Sequence, residues 1–250
     1  MNARPSAETL GSSAAAAARA RLRERYLATA SKLYSPLLHL AGTTGVGLAT
    51  LALSVSKLKN VTATELLVVP GVLLVANVFE WIAHKEVLHV RRPFPWSELF
   101  DQHTPKHHKL YHEEDMAIRD RREWRLVLIP AAGVLGIVTS TAPLAYAISK
   151  LVSPNAGWLT LVTTAGYMVS YELLHLSYHL PEDHPVGGWS VIKTLRKHHA
   201  KHHDPSLMQR WNFNVTLPLA DWLFGTIARD HQPAADEAAA PAVPTVATDG

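Results

Sequence analysis

Charge-free stretches alternate along this chain with short, highly charged ones, on a scale far longer than any helical or strand period. Residues 37–56, 66–79, 126–149 and 151–171 hold no Asp, Glu, Lys or Arg. Three of these four runs reach the ~20 residues with which a helix crosses a hydrocarbon core of about 30 Å. The shorter one reads continuously over 61–83 once Glu65 is placed at the interface, which leaves Glu80 deep near the other end. A long helix in a soluble core would keep a polar stripe, and these runs have none. The pattern predicts an all-α integral membrane protein with four transmembrane helices.

Charge then orients the helices. Of the 24 Lys and Arg, only Lys57, Lys59 and Lys150 fall in the two short loops that join helices one to two and three to four. All the others lie in the N-terminal arm, the 85–125 loop and the segment after His179. By the positive-inside tendency those regions and both termini are cytoplasmic. The expected organisation is a cytosolic arm over 1–35, a membrane domain over 36–230 that carries a cytosolic helical cap, and a disordered tail over 231–250. The Ala run near the start is too short and too weakly apolar for a secretory signal. Cysteine is absent, which excludes disulfides and thiolate metal sites.

The candidate chemistry lies in histidine. Of fifteen histidines, ten or more fall into four clusters: His84 and His89 in HKEVLH; His103, His107 and His108 in HTPKHH; His175 and His179 in HLSYH; and His199, His202 and His203 in HHAKHH. His112 and His198 stand beside the clusters, and either can substitute for a neighbour. His39, His184 and His231 lie outside the pattern and read as ordinary core or surface residues. Each hydrophobic pair of runs ends in one sparse cluster and is followed, across a basic loop, by a denser one. His175 and His179 are i, i+4 on one helical face, and His199, His202 and His203 form an i, i+3, i+4 stripe. His84 and His89 are i, i+5, about 140° apart on an α-helix, so they need a local distortion or serve different ions. Thr104 and Pro105 look like an N-cap and first helical residue.

Ten imidazoles exceed the roughly three protein ligands of a single catalytic zinc, so two ions are expected to share them. An all-nitrogen set suits iron, zinc, copper or nickel and disfavours magnesium and calcium. Glu80, Glu86, Asp101, Glu172 and Asp204 are candidates to receive the imidazoles' other N–H, a role that backbone carbonyls also fill. A pH-sensing or basic membrane-surface patch would use similar residues, but not near-matching spacings at equivalent points of two hairpins.

These four clusters, in order among hydrophobic segments, resemble the histidine boxes of the membrane-bound fatty acid hydroxylase and sterol desaturase superfamily. The stretch RWNFNVTLPLADWLFGT (210–226) is similar to the one that follows the last box there. The resemblance implies an oxygen-dependent di-iron enzyme acting on acyl chains or other lipids. It carries the ligand role to His84, His89, His103, His107, His108, His175, His179, His199, His202 and His203, with zinc able to occupy the site in purified protein. The second box holds one residue more than the fatty acid 2-hydroxylase arrangement, which leaves the role of His103 open. The chain shows no fused cytochrome b5 domain, so a separate cytochrome b5-like or ferredoxin-like donor is expected, drawn to a basic face. Hydroxylation of a lipid is the favoured reaction, with no nucleic-acid partner. A desaturase of the same superfamily, a non-enzymatic membrane protein that binds or moves metal ions, and a zinc hydrolase are the competitors. The last is weakened because HKEVLH lacks the HExxH order.

Overall fold

The structure is a computed structural model that describes residues 7–229, and all of its regular elements are helical. The tail expected to be disordered and His231 lie outside the described residues. In chain order the α-helices are α1 (Ala7–Ala28), α2 (Pro36–Ser56), α3 (Val68–Ala83), α4 (Trp96–Gln102), α5 (His108–Leu110), α6 (Trp124–Val127), α7 (Ala131–Ser140), α8 (Ala142–Leu151), α9 (Pro154–Tyr178), α10 (Ser190–His202) and α11 (Leu219–Leu223). Two π-helices, His84–Leu88 and His103–His107, continue α3 and α4.

Among the described residues, three helical segments are long and apolar enough to cross a membrane: Pro36–Ser56, Glu65–Leu88 and Arg121–Leu151. The sequence predicts four. The run expected to form the fourth lies in α9, a continuous helix of 25 residues. It differs because Asn155, Thr160, Thr163, Thr164, Glu172 and His175 dilute its apolar content. It tolerates them because it is the central helix, packed against α2, α3 and α8, so that most of its length faces protein. The third segment is also not one straight rod. It breaks before Pro130 and again at Thr141, where Pro143 has no N–H to return to the preceding turn.

Close approach sets the position of α9. A Cβ at Gly157 would meet the carbonyl oxygen of Ala145 at 2.7 Å and the Cβ of Ser149 at 2.5 Å, so only glycine lets α8 and α9 touch there. Gly157→Ala should therefore lower stability by about 1–3 kcal/mol through overpacking. Gly166→Ala, on the same helix with open space beside it, should be neutral or slightly stabilising. Thermal unfolding of both variants in detergent checks the pair.

At one end the two hairpin loops are tied by Glu65, whose carboxylate accepts from Thr62 N–H at 2.8 Å, Asn155 Nδ2 at 3.1 Å and the Ser153 hydroxyl. At the other end α1 is clamped onto the histidine-bearing segments. Arg23 pairs with buried Glu123 at 3.1 Å, and Tyr26 donates its hydroxyl to the Pro105 carbonyl at 3.0 Å. Glu123 also receives the Tyr111 hydroxyl at 2.9 Å and completes a capping box with Asp120.

Candidate metal centre

The i, i+5 spacing of His84 and His89 is accommodated by the π-helix His84–Leu88. Bonding from i to i+5 widens the turn, so residues five apart become neighbours on one face. The two rings stack with centroids 5.1 Å apart and planes inclined by 22°. The same device absorbs the extra residue of the second box, because His103–His107 is also a π-helix and it brings His103 Nε2 to 3.0 Å from His108 Nε2. Thr104 and Pro105 are therefore not an N-cap and first turn. They lie inside the π-helix, where the missing N–H of Pro105 already interrupts an α ladder, and the Thr104 hydroxyl donates to the Leu88 carbonyl at 2.7 Å.

The side chains converge into two groups able to hold a metal ion: His84, His89, His103, His108 and His202; and His107, His179, His199 and His203. Within each group the ligand atoms lie within 4.8 Å of one another. The groups do not follow the boxes. His107 and His108 are consecutive and point about 100° apart, so one box feeds both groups. Along α10 and its C-cap residue, likewise, His199 and His203 share a face while His202 turns to the other group. The groups abut, with His108 and His203 stacked at 4.3 Å and His103 and His107 at 5.2 Å. His175 lies against the four-histidine group, 5.0 Å between centroids from both His107 and His199, and both its ring nitrogens are buried without a partner. His112 and His198 belong to neither group.

Backbone carbonyls hold the rings. His107 Nδ1 donates to Leu126 O at 3.0 Å, His203 Nδ1 to Tyr111 O at 2.8 Å, His202 Nδ1 to Trp211 O at 2.9 Å and His179 Nδ1 to Met116 O at 2.9 Å. His84 Nδ1 donates to Phe213 O. A carbonyl only accepts, so each Nδ1 carries the proton and, in a neutral ring, Nε2 is a bare lone pair. His107 Nε2 and His203 Nε2 nevertheless face each other at 3.2 Å. His89 Nε2 and His202 Nε2 do so at 2.9 Å, with His89 Nδ1 turned to the Thr104 hydroxyl. Converging Nε2 lone pairs in both groups, together with the unpartnered buried Nε2 atoms of His175 and His179 at the four-histidine group, fit a cation in each. Burial, and then repulsion from neighbouring imidazoles, holds His89, His103, His108 and His199 well below the usual histidine range, in the neutral form that ligates.

The five carboxylates considered from sequence have other partners. Glu86 pairs with Arg92 at 3.0 Å, Asp101 with Arg91 at 3.2 Å, and Asp204 accepts from Ser206 N–H at 2.8 Å. Glu172 accepts the Ile129 N–H at 3.1 Å. Glu80 accepts from the Val215 and Thr216 N–H groups and from the Thr216 and Tyr167 hydroxyls, which ties α3 and α9 to the segment after Phe213. Glu80→Ala would leave those donors buried and unpaired, at a cost of about 3–5 kcal/mol. Glu80→Gln should cost only about 1 kcal/mol, because both hydroxyls can turn to accept from the new amide. Chemical denaturation in detergent distinguishes the two.

The residues that sequence reasoning left without a role are in 210–226. Asp221, fully buried, accepts from Phe213 N–H at 2.9 Å, Asn214 N–H at 2.8 Å, His198 Nε2 at 3.0 Å and the Thr226 hydroxyl at 2.7 Å. It thereby fixes the segment whose Trp211 and Phe213 carbonyls orient His202 and His84. The Phe213 ring closes the five-histidine group, 5.7 Å from His202 and 6.1 Å from His84 between centroids.

A model of the family described as fatty acid hydroxylase matches residues 69–226. The chain belongs to that family. Comparison with curated proteins and with solved structures gave no match. The span shared with the fatty acid hydroxylase family begins in α3 and ends at Thr226, so it contains every clustered histidine and Asp221, while α1 and α2 lie outside it. The family domain and the two histidine groups are compatible with a metal-dependent hydroxylase or desaturase.

Proposed function

We propose that this member of the family is an oxygen-dependent di-iron enzyme that hydroxylates a lipid or fatty acyl chain at an unactivated C–H bond. The observation that carries the reading is the pair of abutting imidazole groups whose Nε2 atoms converge, with the Nδ1 protons of His84, His107, His179, His202 and His203 given to backbone carbonyls. His84, His89, His103, His108 and His202 would hold one ion, and His107, His179, His199 and His203, completed by His175, the other. Zinc fits the donor set and can occupy it in purified protein, but its lack of redox chemistry makes iron the working metal. Bound iron would supply O2 activation and the oxidising power to cleave a C–H bond, which no side chain has.

The protein's share is placement and dryness. Every clustered histidine is at most 8% exposed, so water is kept from the reacting centre. The carbonyl-held rings cannot swivel, which keeps the ligand geometry fixed through turnover. The balance R–H + O2 + 2 e⁻ + 2 H⁺ → R–OH + H2O requires electrons from outside the chain. A separate cytochrome b5-like or ferredoxin-like donor would dock on the basic face. In the membrane, α9 would act as a fourth span shielded by α2, α3 and α8. Both termini and the histidine-bearing cap would be cytoplasmic, in keeping with the Lys and Arg distribution. A metal-carrier reading is disfavoured because the runs 37–56 and 126–149 hold no charged side chain that could form an ion path.

Metal analysis of detergent-purified protein should find ~2 ions per chain, predominantly iron when zinc is withheld during growth. Turnover under ¹⁸O2 should then give a lipid product that contains the label. An unlabelled product with a new double bond would instead identify a desaturase, which removes a second hydrogen. Folded wild-type protein that binds no metal under iron loading would overturn the whole reading.

A further inference from the structure

A cavity of about 350 Å³ lies between α1 and the second histidine box, lined by Ala18, Arg19, Arg21, Leu22, Arg25 and Lys109. The arginines of α1 divide by face. Arg19 and Arg23, on the packed side, have carboxylate partners, Glu114 at 3.1 Å and Glu123 at 3.1 Å. Arg21, Arg25 and Lys109 are exposed, and none is in an ion pair among the described residues. Arg21 and Arg25 are also i, i+4, a spacing at which like charges repel along a helix. Three cations kept together around a concavity, none of them in an ion pair among the described residues, form a site that an anion would relieve, and the forked guanidinium geometry matches phosphate.

We propose that this cavity binds a phosphate group, and that its occupant braces the second histidine box from outside. Lys109 directly follows His108, so charge neutralised at the cavity acts on the segment that carries a clustered imidazole. The phosphate can belong to an anionic lipid headgroup, since a linker of only seven residues separates the basic α1 from the apolar α2, or to a soluble phosphate ester. The inference is independent of the hydroxylase reading.

The test uses full-length protein in a neutral detergent, titrated separately with short-chain phosphatidylglycerol and with inorganic phosphate, and reads the thermal midpoint. The wild type should show a saturable rise. In the variant Arg21→Gln, Arg25→Gln, Lys109→Gln the apparent affinity should fall at least tenfold. A control of equal net charge, Lys32→Gln, Lys193→Gln, Lys197→Gln, should respond as the wild type does. A response to phosphatidylglycerol alone assigns the site to a lipid headgroup, and an equal response to inorganic phosphate assigns it to free phosphate. No saturable rise in the wild type, or the same loss in both variants, overturns the proposal.

Discussion

His203→Ala should cut bound metal from about two ions per chain to about one and reduce product formation by far more than the roughly 10–100-fold expected for loss of an outer-shell partner. His203 is the hub of the four-histidine group, with its Nε2 at 3.2 Å from both His107 Nε2 and His199 Nε2. It also stacks on His108 of the neighbouring group, so its loss removes a ligand from one group and a wall from the other. Because its Nδ1 donates to Tyr111 O, the alanine variant also leaves a buried carbonyl without a donor. His112→Ala is the internal control. It lies outside both groups, and retained metal and activity in that variant would show that the loss is specific to the convergent lone pairs. If His203→Ala kept both ions and full turnover, the ligand assignment would fail.

Asp221→Ala should be as damaging without touching a metal ligand. It would remove the acceptor of two backbone N–H groups, one imidazole and one hydroxyl, with an expected loss of about 3–5 kcal/mol of stability. The freed segment would no longer aim the Trp211 and Phe213 carbonyls at His202 and His84, so metal affinity in the five-histidine group should fall by roughly 10–100-fold. Burial raises the Asp221 pKa, but donation from His198, Thr226 and Asn214 outweighs it and the net shift is downward. A depressed carboxylate contributes stability above its unfolded value, near 3.9, and loses it only as pH falls through the lower folded value. The difference between wild type and Asp221→Ala should thus not shrink between pH 8 and pH 5. A difference that already shrank within that window would show that Asp221 is not held ionised.

Much of the candidate metal centre was readable as composition and spacing, and the family resemblance followed from the same residues. The charge-free runs, their lengths, the sparse histidine pairs just beyond two of them and the intervals within each cluster are local properties, legible from hydropathy and helix geometry. The i, i+5 interval of His84 and His89 even demanded a distortion, which the π-helix provides. What the sequence by itself could not determine is which imidazoles meet. Spacing describes one helix at a time, whereas His202 joins the first-half histidines and His107 the second-half ones only because α10 and the second box pack against each other. The acceptors that orient the rings were equally hidden, since a backbone carbonyl has no residue signature and becomes a partner only through its place in the fold. The interior position of α9 belongs to the same class: its threonines, Glu172 and His175 weaken the membrane signal in one dimension, and only packing by neighbouring helices removes them from lipid.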